Sequence, residues 1–103
     1  MSMLTVNKTK VGTKLTAELV GRVDVMTAPQ FENEMSSEVD DVNDLVLDLK
    51  HLDYMSSAGL RVLVWLHKTM TAKKGSFTVC SPSEGILDIF TATGLTDLLD
   101  IRQ

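Results

Sequence analysis

Apolar and polar residues alternate along the first part of the chain in two runs separated by Gly12-Thr13. Leu4–Val11 mixes β-branched with polar residues and reads as an edge strand. Leu15–Val23 places Leu15, Ala17, Leu19, Gly21 and Val23 on one face at period two, and the pair of runs predicts a hairpin. The period then changes. Ala28, Phe31, Met35 and Val39 follow at helical spacing. Thr27-Ala28-Pro29-Gln30 before them predicts a capping box, with Thr27 as N-cap and Gln30 reaching back. Leu45–Leu49, a short apolar run bounded by acids, is the pattern of a buried central strand.

Ser57–Lys73 predicts a helix closed by Gly75, and Phe77–Cys80 a further short strand. Ser81-Pro82-Ser83-Glu84 predicts a second capping box with proline at the first helical position. The helix it opens carries Ile86, Leu87, Ile89 and Phe90 and stops at Gly94, while Leu98–Ile101 is open between a final strand and a turn of helix. The resulting order is ββαβαβα. Helices that cross between short strands make those strands parallel, so the expected fold is α/β, a mixed sheet of four to five strands packed with α-helices. No repeat or linker divides the chain, and residues 1–103 read as a single domain.

Composition narrows the possible chemistry. With 44% hydrophobic and 23% charged residues, the chain is too apolar for disorder. A single cysteine, Cys80, excludes an internal disulfide and a multi-cysteine zinc site, and reads as a small apolar filler on its strand. His51 and His67 have no acid or cysteine partners at ligand spacing, so neither a catalytic nor a metal role is expected. Fourteen acids against ten bases give a net charge of −4, which argues against nucleic acid. Lys68, Lys73 and Lys74 read as complements to a helix dipole. No apolar run approaches the ~20 residues of a membrane span. With no leader at the start of the chain, a cytoplasmic location without membrane insertion is expected.

The informative stretch is Asp53–Trp65. Two serines, Ser56 and Ser57, stand where a loop enters a helix, one of them as its N-cap. Gly59, Val62, Leu63, Leu66 and Met70 form the core stripe of that helix, with Gly59 allowing close approach to the sheet. Ser57, Leu60, Arg61, Val64 and Lys68 fall opposite, with Trp65 at the flank. Apolar Leu60 and Val64 around a hydroxyl predict a docking surface; a helix covered on both sides by the fold is the alternative. Asp48 reads as a strand-end residue bonding to the adjacent loop, and nothing acidic lies near Ser57 on the predicted face.

These residues also resemble a known family. Gly21-Arg22-Val23-Asp24, Leu47-Asp48-Leu49, Met55-Ser56-Ser57-Ala58-Gly59-Leu60 and Thr93-Gly94-Leu95 are similar to the signatures of STAS domains, specifically of stand-alone bacterial anti-sigma factor antagonists. The resemblance runs essentially from end to end and implies the STAS fold. It implies that the serine two residues before Gly59 is phosphorylated by an anti-sigma factor that is itself a serine kinase, which places the modification on Ser57 rather than Ser56. ATP and magnesium would belong to that partner, and a PP2C-like serine phosphatase would reverse the step. The chain itself would be no enzyme and would hold no cofactor. Asp24, Ser56, Ser57, Leu60, Arg61 and Val64 would bind the partner. This chain departs from the family in having Ser56 where aspartate is common and Arg22 where glutamate is frequent. An alternative is a STAS accessory subunit of a membrane lipid transporter, docking through the same helix without phosphorylation. A small enzyme is a third reading, for which the sequence supplies a serine but no base.

Overall fold

The computed structural model describes residues 3–103; Met1 and Ser2, the first positions of the predicted domain, lie outside the described residues. Strands β1 (Leu4–Val11) and β2 (Lys14–Val23) form the hairpin, followed by helix α1 (Ala28–Ser36) and a 3-10 turn at Val39–Asp41. Strand β3 (Asp44–Met55) leads into helix α2 (Ser57–Ala72) and strand β4 (Ser76–Cys80). Helices α3 (Glu84–Ala92) and α4 (Leu95–Leu98) precede strand β5 (Asp100–Arg102), so the open C-terminal segment supplies both a helical turn and a strand. The sheet runs β1-β2-β3-β4-β5, with β1 antiparallel to β2 and the remaining neighbours parallel.

That sequential order explains where the core lies. From β2 onward each strand is added beside its predecessor. Right-handed crossovers repeated in one direction return every helix to the same face. Burial agrees: the rows Leu15-Leu45-Phe77 and Ala17-Leu47-Val79 are buried, while Thr16, Val46 and Thr78 between them are only half-buried. The central strand is therefore covered on one face. Cys80 lies on the uncovered face, half-exposed and in register with Asp48 and Arg102, so it is no core filler.

Several local expectations need correction. β3 continues six residues past Leu49, because two register shifts against β2 break its alternation and space the buried residues Leu49, Leu52 and Met55 three apart. Thr27 precedes α1 without capping it, since its hydroxyl donates to the Arg22 carbonyl and accepts from the Asp24 N–H, both at 2.9 Å. Gln30 donates to the Leu4 carbonyl instead, tying α1 to β1. The second capping box gives way to a single N-cap at Ser83, whose hydroxyl accepts from the Ile86 N–H at 3.2 Å, with an apolar side chain where the reciprocal partner would stand. Ser81 cannot start the helix: its φ is +54°, and its N–H donates to the Arg102 carbonyl. At the end of α2, Lys74 rather than Gly75 takes the left-handed conformation. Lys73 donates to the Val39 and Asp40 carbonyls, closing the 3-10 turn instead of its own helix.

Candidate functional site

The site is built where β3 passes into α2. The Ser56 N–H donates to the Val23 carbonyl at 2.8 Å, pinning the end of β3 to the end of β2. Ser56 is extended (φ −85°, ψ 175°) and its carbonyl accepts from the Leu60 N–H, which starts the helix. Its hydroxyl does not cap that helix; Oγ is buried and makes no hydrogen bond. Ser57, the first helical residue, is exposed. The two serines are thus physically unequal. Gly59 seats the helix on the sheet as its spacing predicts, for a Cβ there would stand 2.7 Å from both Met55 Cγ and Val23 Cγ1.

The core stripe Gly59, Val62, Leu63, Leu66 and Met70 is buried as expected. The opposite side is open at Ser57, Arg61 and Lys68, as its spacing predicts, but not at its apolar positions. Leu60 is buried, with 9% of its surface exposed, and Val64 is half-buried. The chain after α3 provides the cover: Thr93 and Leu95 face Ser57, Leu60, Arg61 and Val64 across a groove of about 380 Å³. Gly94, at φ +79°, makes the tight turn between α3 and α4 that forms this wall. Leu60 is therefore groove floor and core edge together. Arg61 is exposed and makes no ion pair among the described residues. It also lines a second depression, between α1 and α2, with Val25, Ala58 and Glu32. Glu32 is an acid of that second depression, which Ser57 does not line; the groove lined by Ser57 contains none.

Beside this helix start, Asp24 organises the β2–α1 turn. One carboxylate oxygen accepts from the Met26 and Thr27 N–H groups at 2.9 and 3.0 Å, and the other lies 3.0 Å from Arg22 Nε. The Arg22 guanidinium also stacks over the Tyr54 ring, 5.4 Å from its centre. Burial opposes ionisation of Asp24, but the Thr27 and Met26 N–H groups, the Thr27 hydroxyl and Arg22 outweigh it and hold the pKa below the ordinary 3.8. A depressed carboxyl stabilises the fold fully above the unfolded-state pKa and loses that contribution as pH falls through the folded-state value. Acid titration followed by amide NMR should show the turn loosening only below the ordinary aspartate range. Asp24→Asn should loosen the turn at neutral pH and remove this acid step. Parallel wild-type and variant profiles would count against the assignment.

The turn turns outward what the sequence reading missed. Val25 is 73% exposed, Met26 80% and Tyr54 43%. Two apolar residues between Asp24 and Thr27, where turn residues normally stand, were the available signal. Elsewhere the side chains do structural work. Asp48 accepts from the Lys50 N–H within its own strand rather than from the loop. His51 does have an acid partner, Glu18 on the neighbouring strand at 3.1 Å, a pairing that linear spacing cannot reveal. Asn7 and then His51 draw the Glu18 pKa below its ordinary value. Among the described residues, no helix is long and apolar enough to cross a membrane.

Comparison with known proteins agrees with this architecture. The STAS domain family model matches residues 5–103. The anti-sigma-B factor antagonist of Bacillus subtilis is 34% identical over 83 residues, covering 81% of this chain and 76% of that protein. Its counterpart in Listeria monocytogenes is 30% identical over 88 residues, covering 82% and 75%. The crystal structure of an anti-sigma factor antagonist from Mycobacterium paratuberculosis superposes with a TM-score of 0.87 at 23% identity, over 96% of this chain and 85% of that one.

Proposed function

The chain belongs to the STAS-domain family, and from that premise we propose that it is an anti-sigma factor antagonist switched by phosphorylation of Ser57. The whole chain acts as one STAS domain. In its unmodified form it docks on an anti-sigma factor serine kinase and frees the sigma factor; the kinase, with its own ATP and magnesium, ends the complex by modifying Ser57. A PP2C-like phosphatase resets the chain. The names of relatives at 34% and 30% identity support the class of function. One observation carries the choice of residue: Ser57 is exposed at the mouth of the α2 groove, while the Ser56 hydroxyl is buried.

The physics of the switch follows from position. A phosphate adds about −1.5 to −2 charges and three acceptor oxygens. At the first turn of α2 it meets uncapped N–H groups, which favour an anion, so the fold tolerates it. Buried unpaired in an interface, the same group is costly and the complex fails. Arg61 and Val64 meet the partner directly, Leu60 does so from the groove floor, Asp24 through the turn it holds, and Ser56 by fixing the entry of the helix.

The test is incubation of purified protein with ATP, magnesium and serine-kinase anti-sigma factors of its own organism, read by intact mass and peptide mapping. The expected result is one added phosphoryl group, about 80 Da, on Ser57. Modification should vanish in Ser57→Ala and persist in Ser56→Ala. Modification confined to Ser56 overturns the residue assignment. Co-purification with an ABC-type transporter, with Ser57 unmodified, overturns the reading in favour of a transporter subunit.

A further inference from the structure

Resting on that reading, we propose that the groove between α2 and the α3–α4 turn receives an apolar side chain of the partner protein together with an adjoining carboxylate. The lining divides into two ends. Leu60, Val64 and Leu95 give an apolar floor, and Ser57 with Arg61 gives a polar rim. Thr93 adds little to that rim as a donor, since its hydroxyl already donates to the Ile89 carbonyl at 2.7 Å. Arg61 is the one charged residue of the lining and makes no ion pair among the described residues. The first turn of α2 carries no acid and its N-cap side chain makes no cap, so the helix dipole adds to the positive end. On a chain of net charge −4, this is a local site for an anion beside an apolar slot.

The size and shape of the groove favour a protein segment. About 380 Å³ holds one or two side chains, and the groove is open along its length rather than enclosed. Arg61 joins it to the depression lined by the exposed Val25 and by Glu32, so a partner lying across α2 contacts both and places its carboxylate on the groove side of Arg61, where no acid stands. Phosphorylation then acts by occupancy. A phosphate on Ser57 pairs with Arg61 from within the chain and repels the incoming carboxylate, leaving the apolar floor intact.

The probes are two capped peptides, acetyl-Leu-Leu-Glu-amide and acetyl-Leu-Leu-Lys-amide, titrated into ¹⁵N-labelled full-length protein. The acidic peptide should shift amides of residues 57–64 and 93–95 and bind about fivefold more tightly than the basic one. Arg61→Gln should erase that preference. Equal binding of the two peptides, or shifts confined to other surfaces, overturns the groove whatever any kinase does. With a kinase that modifies Ser57, Val64→Asp should weaken docking about tenfold while Lys68→Glu, one turn beyond the groove, stays within about twofold. Amide spectra establish that both variants are folded. Unchanged docking by folded Val64→Asp overturns the groove alone. Acid-selective binding on a chain that no serine kinase modifies overturns the antagonist reading instead.

Discussion

Leu63→Ala is expected to lower the unfolding free energy by about 2–5 kcal/mol, and Leu66→Ala by a similar amount. Both side chains are fully buried on the core stripe of α2, so truncation leaves a void that close-packed neighbours fill only in part. Leu60→Ala, on the same helix, should fall at the low end, about 2 kcal/mol, because its void opens into the groove and admits water. Its larger effect should be on docking, by roughly 1–3 kcal/mol, as for an interface anchor. Urea denaturation checks the first contrast, and the Ser57 kinase, used as a binding partner, checks the second. Equal stability costs at Leu60 and Leu63 would show that the groove closes over Leu60. An unchanged affinity in Leu60→Ala would remove Leu60 from the interface.

That contrast also marks how far the sequence could be read. The stripe Gly59, Val62, Leu63, Leu66 and Met70 was legible because helical periodicity reports one direction of burial. The cover over Leu60 was not, because it comes from Thr93 and Leu95, some thirty residues away along the chain. The hairpin, both its strands and the start of α2 emerged near their observed bounds, since each carries a local period and a local turn signal. The second half of β3 was hidden because its bulges space buried residues three apart, neither strand-like nor helix-like. Capping residues were the weakest signal. Thr27 and Ser81 are suitable chemically, but the Arg22 carbonyl and the Asp24 N–H take the Thr27 hydroxyl, and the backbone bond from the Ser81 N–H to the Arg102 carbonyl, with φ at +54°, holds Ser81 out of the helix start.

The site was legible in the same uneven way. Ser57 and Arg61 lie on the exposed side of α2, as their spacing predicts. What separates Ser57 from Ser56 is burial of one hydroxyl, on the residue whose N–H is tied to the end of β2, which adjacent identical residues in a sequence cannot express. Val25, Met26 and Tyr54 escaped notice because apolar residues are read as core by default, whereas the Asp24 turn and the end of β3 turn these three outward.

Gly21→Ala should be the most damaging small substitution in the molecule, at about 2–6 kcal/mol from backbone strain and overpacking combined. Gly21 has φ +108°, a conformation that L side chains rarely adopt, and an added Cβ would meet the Met3 carbonyl oxygen at 2.3 Å. That oxygen accepts from the Arg22 N–H at 3.0 Å, so the backbone cannot retreat without losing the bond that holds the entry to β1 against β2. One of the two register shifts of β2 against β3 lies at this same point, between Gly21 and Arg22. The shift sets the direction of Arg22 onto Tyr54 and Asp24, so strain at Gly21 reaches the turn that presents Val25 and Met26. Gly85→Ala is the matched control. Nothing lies within 4 Å of a Cβ at Gly85, and alanine in α3 should be neutral or stabilising by up to about 1 kcal/mol. Thermal unfolding of the two variants should therefore move in opposite directions or differ severalfold in size. A Gly21→Ala melting point close to that of Gly85→Ala would mean that β1 yields at Met3 and that this glycine is not what aims the turn.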